Sequence, residues 1–268
     1  DVSYICSIRG CPYRCNYCAS PFHWKRDKTQ YRSPESVIKE MKLLKENYWS
    51  RYKEYDYSAS ANIGKKSSLK IADNTIVYFV DDVFTVKKPR VKQILRMMIE
   101  QNLGMNWKCE ARTDHLDEEI CELMAQAGCV RVKLGFESVS DKVLKDIQKD
   151  ETKEDMRIGA KMLKNAGVPF TAYFMAGFPT ETDDDLKETI KFAQEIDADY
   201  YSLSVLAPYY GTKMYNDLIE QGVALDKKPW EYFFHQTADL MVNDKIKKET
   251  LNEYLALNTL NEKGKGNI

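Results

Sequence analysis

The stretch Val2-Ser3-Tyr4-Ile5-Cys6-Ser7-Ile8 runs through Arg9-Gly10 into Cys11-Pro12-Tyr13-Arg14-Cys15-Asn16-Tyr17-Cys18. The first part is short, apolar and rich in β-branched and aromatic residues, which reads as a strand. The second places Cys11, Cys15 and Cys18 in a C-x-x-x-C-x-x-C spacing. A fourth clustered cysteine would close such a site, as in structural zinc or fully ligated iron–sulfur proteins. Three can hold three irons of a cubane and leave the fourth open, and an open metal position is where chemistry happens. The loop at the carboxyl end of a strand is also the usual seat of an active site in parallel α/β folds. The triad alone still admits zinc, with Cys6 or His23 as fourth ligand.

Outward from this loop the chain alternates. Strand-like runs recur at Val2–Ile8, Thr75–Val80, Met105–Glu110, Val130–Phe136, Phe170–Ala176 and Tyr200–Leu206. Between them lie helical patterns. Ser33 caps a helix with Pro34 at its first position, followed by Val37, Met41 and Leu44 at helical spacing. Val91, Ile94, Leu95 and Met98 mark a second helix, and Leu116, Ile120, Leu123 and Ala127 a third, stopped by Gly128. A fourth runs from Met156 to Ala166, and Thr182-Asp183-Asp184-Asp185 opens a fifth with acids at its amino end. Six strand–helix units imply a parallel sheet with right-handed crossovers, short of a full eight-unit barrel.

Two regions stand apart. The polar, tyrosine- and serine-rich run 48–72 reads as a surface insertion between the first helix and the second strand, and 226–268 as a helical extension packed outside a barrel of residues 1–225. The 268 residues allow one sizeable core. Forty basic residues nearly cancel 41 acidic ones, which gives no support for nucleic-acid or membrane binding. No apolar run approaches a transmembrane length and no leader is visible. Cys6, Cys109, Cys121 and Cys129 are scattered and read as small buried hydrophobes. Free thiols fit a reducing cytoplasm. The chain enters a strand directly from Asp1, without an initiator methionine, and is expected to be an excised domain of a longer protein.

The cysteine triad, with the aromatic Tyr17 before its third member, resembles the radical S-adenosylmethionine (radical SAM) superfamily. That resemblance implies an α/β fold, an open parallel (βα)6 partial TIM barrel, in agreement with the alternation. It implies a [4Fe–4S] cluster on Cys11, Cys15 and Cys18, with S-adenosylmethionine chelated to the open iron. It also implies reductive cleavage to a 5′-deoxyadenosyl radical, and a reducing partner such as a flavodoxin or ferredoxin.

Further segments carry the resemblance at the ends of successive strands. Asp81-Asp82-Val83-Phe84 departs from the family's glycine-glycine-glutamate and resembles the branch with an upstream cobalamin-binding domain. Adjacent residues of an extended segment point to opposite sides, so one of Asp81 and Asp82 faces the pocket; a solvated capping pair is the alternative. Glu110 is suited to the cofactor's α-ammonium. Gly135-Phe136-Glu137-Ser138 offers Glu137 to ribose hydroxyls, and Lys149 stands where relatives hold the cofactor carboxylate. Met175, Gly177 and Leu206 fall where the family lines adenine, and Pro208-Tyr209-Tyr210-Gly211-Thr212 leads into a helix from Met214 to Glu220. Phe84, His23, Trp24, Tyr209 and Tyr210 are candidate rim residues. The branch includes methyltransferases and anaerobic ring-forming enzymes of the magnesium-protoporphyrin ester cyclase type, so cobalamin from an upstream domain is implied. Alternatives are a methylthiotransferase and, in another class, a non-catalytic zinc or iron–sulfur module.

Overall fold

The computed structural model describes residues 2–23, 29–49, 76–233 and 241–257. Six parallel strands form its sheet: β1 (Val2–Ile5), β4 (Ile76–Phe79), β5 (Asn106–Ala111), β6 (Cys129–Glu137), β7 (Phe170–Ala176) and β8 (Tyr200–Val205), paired in that order. β1 and β8 are its two edges, so the sheet is open. Two short strands, β2 (Ile8–Arg9) and β3 (Gln30–Tyr31), pair antiparallel and clasp the base of the cysteine loop. The α/β class and the six-unit parallel alternation are as expected. The 48–72 insertion lies almost wholly outside the described residues.

The helices are α1 (Ser20–His23), α2 (Pro34–Leu44), α3 (Lys88–Glu100), α4 (Glu118–Gln126), α5 (Asp141–Asp146), α6 (Lys153–Asn165), α7 (Asp183–Ile196), α8 (Lys213–Glu220) and α9 (Lys248–Ala256). Ser33 caps α2 as expected, its Oγ accepting from Ser36 N–H at 3.2 Å. Two helix starts show how capping shifts a boundary. Asp117 accepts from Ile120 N–H at 2.9 Å, so α4 starts beyond Leu116, which is buried in the loop before it. Thr152 and Asp155 form a reciprocal capping box that starts α6 ahead of Met156.

Each strand alternates, and the two faces of the sheet differ. Trp107 and Cys109 of β5, Val132, Leu134 and Phe136 of β6, Phe174 of β7 and Val205 of β8 are buried in one apolar cluster with the helices. Phe136 and Phe174 meet Phe192 of α7 edge-on, at centroid distances of 6.2 and 6.5 Å. Phe84 belongs to this cluster rather than to a rim: it is fully buried, 4.7 Å from Phe79 and 5.6 Å from Trp107. The intervening positions, including Lys108, Glu110, Arg131, Lys133, Tyr173 and Ser204, are half-buried and polar. A sheet covered by helices on both faces would be apolar at both sets of positions. Cys109, Cys121 and Cys129 are buried as expected, but Cys6 is only partly so and its thiol donates to the Ile8 carbonyl.

α9 packs on α7 and β8, with Leu251, Tyr254 and Leu257 in the common core and the Tyr254 hydroxyl donating to Ser204 O at 3.1 Å. The segment before it pins the turn after β7. Asn243 donates to the carbonyls of Phe178 and Glu181, at 2.5 and 2.8 Å. Within that turn the buried Glu181 carboxylate accepts from Gly177 N–H at 2.6 Å and from Phe178 N–H at 3.3 Å. Burial outweighs these bonds and pushes its pKa up to about 7. Between the ordinary glutamate value and about 7 the unfolded chain loses a proton that the folded chain keeps, so stability falls as pH rises through that window. We expect Glu181→Gln to remove this slope: urea unfolding at pH 5 and pH 8 should differ less in the variant, by up to about 3 kcal/mol.

Candidate active site

The loop bearing Cys11, Cys15 and Cys18 begins where β1 stops. Strand pairing was expected to continue to Ile8; it ends at Ile5 because Asp81 captures the next amides. The buried Asp81 carboxylate accepts from Ser7 N–H (2.6 Å), Ile8 N–H (2.8 Å) and the Ser7 hydroxyl (2.5 Å). Arg90 holds the same corner, donating to the carbonyls of Ser7 at 3.0 Å and Arg32 at 2.9 Å. Asp81 is therefore a support for the loop and no part of the cavity wall. Asp82 is the member of the pair that faces the cavity, and it accepts from the Ser20 hydroxyl at 2.7 Å.

The far end of the loop is fixed by Asn16. Its N–H donates to Ile147 O (3.0 Å), its side chain to Asp146 O (2.9 Å), and its carbonyl accepts from Met214 N–H (2.9 Å). The loop is thus tied to the end of α5 and the start of α8. Tyr17 packs edge-on against Phe178, 5.8 Å between centroids.

The three cysteines line a cavity of about 390 Å³ together with residues from the carboxyl ends of the strands. That volume suits a small-molecule site, for which about 300–1,000 Å³ is usual. Asp82, Glu110, Glu137, Lys149, Met175, Leu206 and Tyr17 all line it. Gly177 does not: at φ 96° it forms the tight turn whose N–H meets Glu181, and its open side touches Val205. Of the rim candidates, Tyr209 lines the cavity, Tyr210 is exposed against Tyr215, His23 ends α1, and Trp24 lies outside the described residues.

Buried charge gathers on one side. Lys149 meets Glu151 at 2.9 Å, and Arg112 reaches the same carboxylate at 3.7 Å. Burial opposes the charge on Lys149, but Glu151 and Glu137 outweigh it and hold the pKa up. Burial likewise opposes charge on Glu151, and Lys149 and Arg112 reverse it, holding that carboxyl low. Glu137 is the odd charge: burial raises its pKa against Lys149 and a bond from the Tyr17 hydroxyl. Its backbone is left-handed, φ 63°, which folds the carboxylate back over Gly135. A methyl group on Gly135 would sit 2.6 Å from that carboxylate.

Several wall residues were not singled out from the sequence. Arg112 lies over the Tyr13 ring at 3.8 Å, and the Tyr13 hydroxyl bonds to Nε2 of His115. Burial lowers the His115 pKa, and its Nδ1 lies 3.4 Å from the Thr85 hydroxyl. Lys133 stands 3.7 Å from Glu110, whose carboxylate also accepts from the Tyr78 hydroxyl at 2.5 Å. Period-two alternation back from Glu137 and Gly135 is the signal that would have found Lys133. Arg112 and Tyr13 meet only through tertiary structure.

The donor set fits an iron–sulfur cluster. Three thiols share one wall, and burial raises all three pKa values, that of Cys18 to about 12, with neighbouring thiols adding to it at Cys11 and Cys18. Binding several cations relieves that cost. Among the described residues no three His, Cys, Asp or Glu side chains converge tightly enough for a single metal ion.

Known proteins resemble this chain in sequence and in fold. Residues 61–193 match the model of the radical SAM superfamily, a span that starts beyond the cysteine loop. An uncharacterised methyltransferase of Pyrococcus horikoshii is 28% identical over 82% of this chain and 43% of its own length. An anaerobic magnesium-protoporphyrin IX monomethyl ester cyclase of Rubrivivax gelatinosus is 24% identical over 84% of this chain and 36% of its own. The radical S-adenosylmethionine methyltransferase TsrM of Kitasatospora setae, solved with cobalamin and a [4Fe–4S] cluster, shares the fold. Its TM-score is 0.65 at 20% identity, over 84% of this chain and 38% of that one. Methylthiotransferases occur among the further relatives. The chain resembles the radical SAM superfamily and, within it, proteins described as methyltransferases and cyclases. It spans about two fifths of the length of the curated relatives it matches.

Two substitutions separate support from wall. Asp81→Ala leaves two buried N–H groups without an acceptor and should cost about 3 kcal/mol or more in urea unfolding. Gly135→Ala should leave stability within about 1 kcal/mol but displace the Glu137 carboxylate, read as at least tenfold weaker S-adenosylmethionine binding by calorimetry.

Proposed function

We propose that this chain is the catalytic core of a radical SAM enzyme that carries out radical-based methylation or ring formation, working with cobalamin supplied from an upstream domain. The observation that carries the reading is the convergence of Cys11, Cys15 and Cys18 with Asp82, Glu110, Glu137 and Lys149 on one cavity at the carboxyl ends of six strands. The three thiolates would hold a [4Fe–4S] cluster, which when bound supplies the electron that breaks a carbon–sulfur bond of S-adenosylmethionine.

The chain's own residues bind and orient. Lys149, kept charged by Glu151, would take the cofactor carboxylate. Asp82 and Glu110 would face the α-ammonium, and Glu137 would accept from the ribose hydroxyls. Met175 and Leu206 would flank adenine. Tyr13 and Tyr17 brace the cysteine loop, through His115 and Phe178 respectively, and help exclude water. A reducing cytoplasm and an electron donor of the flavodoxin or ferredoxin kind go with this chemistry; among the described residues no helix is long and apolar enough to cross a membrane.

The likeness to a cyclase and to methyltransferases supports methylation or ring formation, and relatives that are methylthiotransferases, at 26 to 29% identity, keep methylthio transfer as the alternative. The balanced charge gives no support for an RNA substrate.

Anaerobic reconstitution with iron and sulfide, followed by electron paramagnetic resonance of the reduced chain, tests the reading. A reduced-cubane signal should shift when S-adenosylmethionine is added. Cys15→Ala should abolish cofactor cleavage while circular dichroism stays that of the folded chain. A chain that retains zinc, or a signal blind to the cofactor, would overturn the enzyme in favour of a structural or electron-carrying module.

A further inference from the structure

Beyond the residues that line the cavity, the polar face of the sheet continues toward the amino ends of the strands, and there the charge is one-sided. Lys133, Glu110 and Tyr173 line the cavity. Lys108 and Arg131 lie on the same face, two residues nearer the amino ends of β5 and β6, and are register partners, as are Glu110 and Lys133. All three cations are half-buried. Lys133 has Glu110 at 3.7 Å, but among the described residues no carboxylate pairs with Lys108 or Arg131. Burial, then the nearby Lys133 and Arg131, lowers the Lys108 pKa.

Tyrosines form the floor. The ammonium groups of Lys108 and Lys133 lie 4.9 and 4.5 Å from the Tyr78 ring centroid, and Lys133 donates to the Tyr78 hydroxyl at 2.8 Å. The Arg131 guanidinium sits 3.7 Å over Tyr200. Thr171 of β7, the register partner of Lys133, is buried, and its hydroxyl has no hydrogen-bond partner among the described residues.

Three like charges in a half-buried place repel one another, and aromatic faces offset this only in part. An anion would satisfy them together. A guanidinium held against a ring keeps its N–H edge for the paired bonds a carboxylate accepts. The tyrosine faces suit a flat apolar body.

We infer that Lys108, Arg131 and Lys133 are the anchoring site for a substrate carboxylate. The ligand class is an organic acid with a planar apolar body, lying on Tyr78 and Tyr173 with its far end toward the cysteine loop. This rests on the radical SAM reading of the cavity above, which supplies the reason for a substrate there.

The test uses the reconstituted full chain and benzene-1,3,5-tricarboxylate as probe. Inorganic phosphate, the uncharged benzene-1,3,5-tricarboxamide and sodium chloride at matched ionic strength are the comparison arms. The tricarboxylate should raise the thermal midpoint above every other arm. By calorimetry it should bind Arg131→Gln and Lys108→Met about tenfold more weakly than wild type, as loss of a charge-assisted contact requires. Without ligand both variants should unfold at or above the wild-type temperature, since repulsion has been relieved. Equal binding by wild type and variants overturns the site, and phosphate binding tighter than the tricarboxylate overturns the carboxylate assignment. Variants that unfold earlier and bind the probe unchanged would make the cations structural and also overturn it. The cofactor-induced resonance shift, recorded on the same samples, separates the two readings. A shift that persists while the probe fails to bind sinks only the anion site. A probe that binds while the shift is absent sinks the enzyme reading and leaves the anion site standing.

Discussion

The site hangs on one carboxylate. Asp81 takes the amide protons of Ser7 and Ile8 and the hydroxyl proton of Ser7, and in doing so ends β1 one step after the sheet has positioned it. Had those amides stayed in the ladder, the chain would have run on along the sheet edge. The corner instead throws residues 10–18 across the carboxyl ends of the strands, where the β2–β3 ribbon and Asn16 hold the two ends of the loop. A buried carboxylate accepting three short bonds is costly to desolvate and costlier to lose. Burial accordingly raises the Asp81 pKa even against its donors.

The cavity beneath the loop is organised by shared partners rather than isolated ion pairs. Lys149 and Arg112 divide Glu151 between them, and Glu137 leans on Lys149 and Tyr17. Such an arrangement keeps each group in a defined charge state while leaving coordination to spare for a ligand. The left-handed Glu137 and the missing side chain of Gly135 belong to the same device: the second makes room for the carboxylate that the first turns inward.

Much of this was legible in the sequence because it is local. Strand–helix alternation, the Ser33 and Thr182 caps and the cysteine spacing each depend on residues a few positions apart. What escaped depends on distant partners. Alternation says that Asp81 and Asp82 face opposite ways, but only the amides of Ser7 and Ile8, more than seventy residues earlier, decide which one is used for support. Phe84 looked like a rim residue because it follows the aspartates. The bond from its N–H to Glu110 O turns the chain back, and the ring enters the core. Tyr13 and His115 are 102 residues apart. Asp117 and Thr152 show that the cap, and not the apolar period, sets where a helix starts.

The alternation within β5 and β6 also separates two kinds of evolutionary freedom. Trp107, Cys109, Val132 and Leu134 hold the sheet to its helices, while Lys108, Glu110, Arg131 and Lys133, interleaved with them, hold nothing in the apolar core. The second set can be exchanged over generations with little risk to folding, because no methyl group of the core moves when they change. A lineage built on such strands can drift from one small molecule to another by altering every other residue, and inherit its scaffold intact.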